Sequence, residues 1–263
     1  MRATPAPAAT LVLLRDRPAG GVETLLIQRH EASRFAAGNF VFPGGKIETD
    51  DMPANAELLC TGLTAEDAAR RLGDVASAAE ALAFWVGAIR ETFEEVGILL
   101  ACSPDGRLLS FAGEEGRRFE EHRRACQRDG SLFWPMLKEE RLTLATDRLV
   151  YFAHWVTPEE SRIRFDTRFF VVEAPPEQTA TVDGREIVDC RWLSPERAIA
   201  AGERGEMALR PPTLKNLALL SGAPDVGGLL AGLEGRPIAM IRHRIVAEGS
   251  DERVLFPGDP GWY

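Results

Sequence analysis

The chain has 263 residues, a net charge of −9 and 45% hydrophobic residues, the size and apolar content of one generous globular domain or of a domain with an appendage. No run of 18 apolar residues occurs, which argues against a membrane span. The acidic balance argues against non-specific attraction to nucleic acid, while leaving local basic residues free to bind a phosphorylated small molecule.

The first residues, MRATPAPAATLVLL, carry one Arg and a short apolar run, and Asp16-Arg17-Pro18 follows with no small-residue cleavage pattern. They read as a tail entering a first strand, not as a signal peptide. Thr10–Leu14 and Glu23–Gln28 are apolar, β-branched-rich runs and predict two strands joined through Pro18-Ala19-Gly20-Gly21. In the next stretch, RHEASRFAAGNFVFPGG, Arg29 and Arg34 offer forked donors suited to phosphate, and Gly38 permits close backbone approach to a ligand. Two surface arginines and a simple turn would leave the same trace. Pro43-Gly44-Gly45 predicts a tight turn whose backbone groups are free to face a metal or phosphate, with Lys46 just beyond it. Thr49–Gly73, acidic and then Ala-rich, predicts a short helix or two.

Ser77-Ala78-Ala79-Glu80 has the form of a capping box, so a helix is expected from near Ser77 to Gly97, a favourable C-terminal residue. At 3.6 residues per turn it places Leu82, Trp85, Val86, Ile89, Phe93 and Val96 on one stripe and Glu91, Glu94 and Glu95 opposite. Carboxylates at these spacings repel unless a cation lies between them. One turn away only Arg90 can pair, with Glu94, so the cluster is under-compensated. Such oxygen ligands suit Mg²⁺ or Mn²⁺, and the helix C-terminus, where the macrodipole disfavours negative charge, makes a bound cation more useful. A solvated acidic helix face is the alternative.

Glu114–Glu140 predicts two helices, Leu142–Val156 and Phe169–Glu173 strands, Thr181–Trp192 another strand, and Ser194-Pro195-Glu196 the start of a helix through Ala201. His154, among apolar neighbours, reads as structural. Pro211–Leu220 and Val226–Leu233 predict amphipathic helices, and Ile238–Val246 with Glu252–Phe256 a closing hairpin across Ala247–Asp251. This gives a main domain over 1–201 and an extension over 202–263 that either covers the far end of a substrate or supports a homodimer. Cys60, Cys102, Cys126 and Cys190 are scattered without C-x-x-C spacing, which favours reduced thiols in a cytoplasmic protein. The terminal Gly261-Trp262-Tyr263 carries no peroxisomal targeting tripeptide.

Phe42-Pro43-Gly44-Gly45-Lys46 and Arg90-Glu91-Thr92-Phe93-Glu94-Glu95-Val96-Gly97-Ile98 together resemble the two halves of the Nudix box, G-x5-E-x7-R-E-U-x-E-E-x-G-U with U aliphatic. Asp51 stands where the first Glu is expected, Thr92 stands at an aliphatic position, and residues 52–89 lie where the pattern has seven. A box split in this way is similar to the branch of Nudix hydrolases that contains the peroxisomal coenzyme A diphosphatase. Arg29, Arg34 and Gly38 keep the spacing of the segment upstream of the box in coenzyme A-cleaving members, and Arg164–Phe170 and Leu255–Asp259 add to the likeness. The resemblance implies an α+β fold, a Nudix-type α/β/α sandwich with a mixed β-sheet and a helical insertion at about 52–76. It also implies Mg²⁺ or Mn²⁺ held by Glu91, Glu94, Glu95 and the Gly44 carbonyl. Arg90 would orient the carboxylates. Glu91, Glu94 or, from outside the box, Glu186 would act as base. Arg29, Arg34, Gly38, Gly45 and Lys46 would bind substrate. Cleavage of coenzyme A or acyl-CoA to 3′,5′-ADP and a 4′-phosphopantetheine is the activity it implies. Cleavage of another nucleoside diphosphate derivative (NADH, ADP-ribose, a nucleotide sugar) and a non-catalytic nucleotide-binding module are the alternatives.

Overall fold

The computed structural model describes residues 3–111, 113–248, 251–260 and 262. Strand β1 (Ala6–Asp16) organises the sheet, since Leu11 and Leu13 point to one face and Val12 and Leu14 to the other, and all four are fully buried. A strand covered on both sides takes an unbroken apolar run in place of an alternating one. Its N-terminal half pairs with the three-residue β4 (Gly44–Lys46) and its C-terminal half with β2 (Val22–Arg29), which also carries β3 (Phe40–Val41).

After β4 come two 3-10 turns, Thr49–Asp51 and Ala56–Leu59, then α1 (Ala65–Leu72) and α2 (Ala78–Val96), so that the insertion at about 52–76 holds the second turn and α1. Ser77 caps α2 by accepting from the Glu80 N–H, and Gly97 ends it in the left-handed region at φ 74°. The Glu80 carboxylate bonds the Ala76 N–H, one residue earlier than a capping box requires. A short ladder of β5 (Ala101–Cys102) and β6 (Thr143–Leu144) brackets α3 (Glu114–Arg128) and α4 (Phe133–Glu139). The expected strand Leu142–Val156 is therefore broken: a 3-10 turn at Thr146–Arg148 separates β6 from β7 (Val150–Val156).

Next come β8 (Phe165–Glu173), β9 (Ile187–Leu193), α5 (Pro195–Glu203), α6 (Pro211–Leu220), α7 (Val226–Leu233), β10 (Met240–Arg242), β11 (Arg244–Glu248) and β12 (Asp251–Leu255). The sheet runs β10-β7-β8-β1-β2-β3, with β4 on β1 and β9 on β2, and mixes parallel (β1 with β8, β10 with β7) and antiparallel pairs. On one face α2 buries Trp85, Ile89 and Phe93 against Leu11, Leu13 and Ile27, and the Trp85 ring lies 4.6 Å from that of Phe170. On the other, Ala198, Leu217, Leu220 and Leu233 from α5, α6 and α7 cover Val12, Leu14 and Leu26. This is an α/β/α sandwich.

Three further expectations change. Helix α2 is not apolar on one stripe and solvated on the other. Because β4, α1 and α3 wrap its second side, Arg90, Thr92 and Glu95 are buried too, and Thr92 satisfies its hydroxyl by donating to the Ala88 carbonyl at 2.7 Å. The strand expected from Thr181 begins only at Ile187, because Thr181 bonds the end of α2 through the Val96 carbonyl and Asp183 caps a turn over Arg185, Glu186 and Ile187. The expected strand Ile238–Val246 splits at His243: Met240–Arg242 joins the main sheet and Arg244–Glu248 forms the hairpin with Asp251–Leu255, whose turn at 249–250 lies outside the described residues. His154 is a core residue, 4% exposed, with Nε2 2.6 Å from Asp166 and Arg168 beside it. No helix among the described residues is long and apolar enough to cross a membrane.

Candidate active site

Short strand β4 places backbone against the C-terminal half of α2. The Leu11 N–H donates to Pro43, so in the alternating antiparallel ladder Gly44 turns its N–H and carbonyl away from β1. That N–H donates to Glu95 Oε2 at 2.8 Å. A Cβ on Gly44 would lie 2.3 Å from the Ala9 carbonyl oxygen, so only glycine lets β4 approach β1 this closely. At Gly45 a Cβ would fall 2.4 Å from the Glu91 carboxyl carbon: the carboxylate occupies the space a side chain would fill. The obstacle is the end of a side chain, not backbone. Gly45→Ala should therefore displace Glu91 and depress activity at least tenfold while moving the urea midpoint little, a split that activity assays and urea unfolding read separately.

Arg90 is 5% exposed and engages three acids. Its Nε and Nη2 donate to Asp51 Oδ1 and Oδ2 at 2.7 and 3.0 Å, Nη1 lies 3.0 Å from Glu91 and 3.2 Å from Glu94, and Nη2 also donates to the Lys46 carbonyl. The sequence pointed to Glu94 as its partner; the bidentate partner is Asp51, 1% exposed. Burial pulls the guanidinium down, but Asp51, Glu91 and Glu94 together push it well above the arginine range.

The carboxylates sit in the opposite state. Burial pushes Glu91 up, with Arg90 pulling part of the way back. Burial raises Glu94 to about 7 against the opposing Arg90 charge, and Glu91 and Asp51 add to the rise. Glu95 is held well above the carboxylate range by burial and by the Glu91 charge, more than the Gly44 N–H and Arg29 offset. Among the described residues no three acidic, His or Cys side chains converge as a finished metal cage. Partners hold them apart: Arg90 restrains Glu91 and Glu94, and Gly44 with Arg29 restrains Glu95. Yet Glu94 Oε1 is buried without a hydrogen-bond partner. Desolvated carboxylates with an orphaned oxygen are the donor set a hard divalent cation takes.

Glu91 and Glu95, though not Glu94, open into a cavity of about 410 Å³ lined also by Arg29, Gly44, Gly45, Lys46 and Glu186, and farther along by Phe35, Phe165, Phe169 and Trp155. Arg29 reaches it, with both terminal nitrogens engaged: Nη1 donates to Glu95 at 3.3 Å and Nη2 to Glu186 at 2.5 Å. It bridges two acids, and its Nε is buried without a hydrogen-bond partner. Arg34 is exposed on the loop, outside the cavity lining. Gly38, at φ 68°, also lies outside it: its N–H closes a turn onto Arg29, and a Cβ would strike the Glu31 carboxylate. Glu186 stands on the turn before β9, not within the strand. Sequence reasoning passed over Arg123. From α3 it donates to the Glu94 and Glu95 carbonyls at 3.0 and 2.7 Å, which caps α2 with a cation where the helix dipole is negative. An Arg in a charged amphipathic helix carries no sequence signal for that role.

A family model described as the NUDT19 Nudix domain matches residues 5–220. The chain belongs to the Nudix family. Acyl-coenzyme A diphosphatase NUDT19 of Gallus gallus is 32% identical over 234 residues, 75% of this chain and 61% of that protein. Its Xenopus laevis counterpart is 28% identical over 232 residues, 75% and 59%. This Nudix chain thus spans about three fifths of those relatives' length. A crystal structure of a Nudix hydrolase from Alicyclobacillus acidocaldarius superposes at a TM-score of 0.73 with 24% identity, covering 89% of this chain and 99% of that one, a likeness of fold.

Proposed function

We propose that this Nudix chain is a Mg²⁺- or Mn²⁺-dependent diphosphatase that splits coenzyme A or an acyl-CoA into 3′,5′-ADP and the (acyl-)4′-phosphopantetheine. The observation that carries the reading is one cavity in which a desolvated carboxylate cluster continues into a chamber walled by aromatic rings, the shape a pyrophosphate joined to a purine nucleotide requires. The names of the matched relatives, acyl-coenzyme A diphosphatases, point to the same substrate class.

Glu91, Glu94, Glu95 and the Gly44 carbonyl would hold the ion. When bound, it neutralises the pyrophosphate oxygens and lowers the pKa of an attacking water. The chain's own residues do the positioning. Arg90 orients Glu91 and Glu94, the Gly44 N–H fixes Glu95, and Arg29 ties Glu95 to Glu186. Lys46 and the Gly45 backbone line the cavity beside them and would meet the phosphate oxygens. The water proton goes to a carboxylate of the group Glu91, Glu94 and Glu186.

The test is product identification by mass after incubation with Mg²⁺ or Mn²⁺ and a panel of coenzyme A, acetyl-CoA, NADH, ADP-ribose and UDP-glucose. Release of 3′,5′-ADP from the coenzyme A compounds at the highest kcat/KM is expected. Preference for another member replaces the substrate. Binding without cleavage of any of them replaces the enzyme with a nucleotide-binding module.

A further inference from the structure

The far end of the cavity is cationic and lacks a counter-ion. Arg210, the residue before α6, lines it and stacks its guanidinium over the Phe35 ring at 4.9 Å. Among the described residues no ion pair or hydrogen bond engages the Arg210 side chain. Burial by itself lowers its pKa, with no acid acting on it. A half-buried guanidinium is ordinarily paired, because its desolvation is otherwise uncompensated.

A second group points the same way. His243 is 5% exposed and lines the same cavity, and its Nδ1 is buried without a hydrogen-bond partner. Burial and the Arg210 charge bring it down to about 4, partly opposed by Glu160, which lies outside the cavity lining. At neutral pH the ring is uncharged and one nitrogen can donate. Thr213, 5% exposed, adds a hydroxyl, and with Pro211 and Pro212 ahead of it brings the first amide N–H of α6 to the same wall. His243 lies beyond the stretch matched by the family model.

The strand register gives the scale. Gly44 pairs with Thr10 and Phe165 with Ala6, so the Gly44 and Phe165 levels are four residues apart on β1, about 13 Å. The Phe165 ring packs edge-on against Phe35 at 4.8 Å, which places Arg210 at that remote level. An unpaired cation and an orphaned donor among aromatic rings suit a phosphate carried next to a purine, not a charge on the neutral pantetheine arm.

We propose that Arg210, with His243 and Thr213, receives the 3′-phosphate of the substrate's adenosine, and so distinguishes coenzyme A from dinucleotides and nucleotide sugars that lack that group. This rests on the coenzyme A reading above. The test is titration calorimetry of the full chain with adenosine 3′,5′-bisphosphate and with 5′-AMP in Mg²⁺ buffer. The unsubstituted chain should bind the bisphosphate about 10- to 100-fold more tightly, as a charged hydrogen-bonded contact predicts. Arg210→Gln should collapse the ratio to within twofold, Arg210→Lys should keep part of it, and His243→Phe should reduce it. Equal binding of the two ligands by the unsubstituted chain, or a ratio unmoved in Arg210→Gln, overturns the subsite. So does a loss confined to malonyl-CoA relative to acetyl-CoA, which would assign Arg210 to an acyl carboxylate. Cleavage is scored separately. A preserved bisphosphate preference without coenzyme A hydrolysis would remove the diphosphatase reading and leave the subsite standing; hydrolysis without the preference would do the reverse.

Discussion

Glu95→Gln should lower turnover by about 10²- to 10⁴-fold and leave the fold intact. The Glu95 carboxyl is buried at the end of α2, and burial with the Glu91 charge pushes it well above the usual range, which favours the neutral form more than in an exposed carboxylate. Glutamine has the shape of that form, and its carbonyl oxygen can still accept the Gly44 N–H now bonded to Oε2. What it cannot supply is a negative oxygen. Divalent ion should therefore raise the melting temperature of the unsubstituted chain, by mass action worth about 2.7 kcal/mol at a hundred times the Kd, and should raise that of the variant much less. Thermal denaturation with and without Mn²⁺, beside kcat on the preferred substrate, checks both. Unchanged turnover, or an equal Mn²⁺ shift in the two proteins, would take Glu95 out of the metal site.

The carboxylate helix was legible because its signals are local. Ser77, Gly97 and the i, i+3, i+4 spacing of Glu91, Glu94 and Glu95 each describe one turn of helix, and the helix runs Ala78–Val96 as expected. The helices Pro211–Leu220 and Val226–Leu233 were legible from their amphipathic spacing, and they start at a prolyl turn and at an Asp225 cap. What sequence spacing does not carry is which long-range partner uses a side chain. Arg29 reads in the sequence as a phosphate donor, and the structure adds two partners that spacing does not show, Glu95, 66 residues away, and Glu186, 157 away, on its two terminal nitrogens. Arg34 and Gly38 keep the family spacing on the same loop, yet that loop folds so that Phe35 and Ala36 face the cavity. Arg210 and His243 meet there only because α6 covers one face of the sheet and β10 joins its edge, contacts made by tertiary packing.

Asp51→Ala should destabilise the chain by about 3–5 kcal/mol, the cost of removing one member of a buried ion pair. Both Asp51 oxygens are committed, Oδ1 and Oδ2 to the Arg90 fork and Oδ2 also to the Glu48 N–H at 2.8 Å. Alanine would strand that N–H and leave the Arg90 charge to Glu91 and Glu94 alone, which would draw both toward it and weaken metal affinity. Urea unfolding and Mn²⁺ titration should move together; a loss under about 1 kcal/mol would show that Arg90 does not depend on this pair. Asp51→Asn, which keeps the shape and the Glu48 bond, should lose less. The Nudix box places the longer Glu here, and local geometry explains why Asp serves. The 3-10 turn Thr49–Asp51 brings the chain against α2, and Gly87 leaves only 3.1 Å between its missing Cβ and Asp51 Oδ2. Asp51→Glu would add a methylene to that closed space, at about 1–3 kcal/mol for overpacking. The short acid and the glycine facing it are matched in size, and Asp51→Glu should weaken the site.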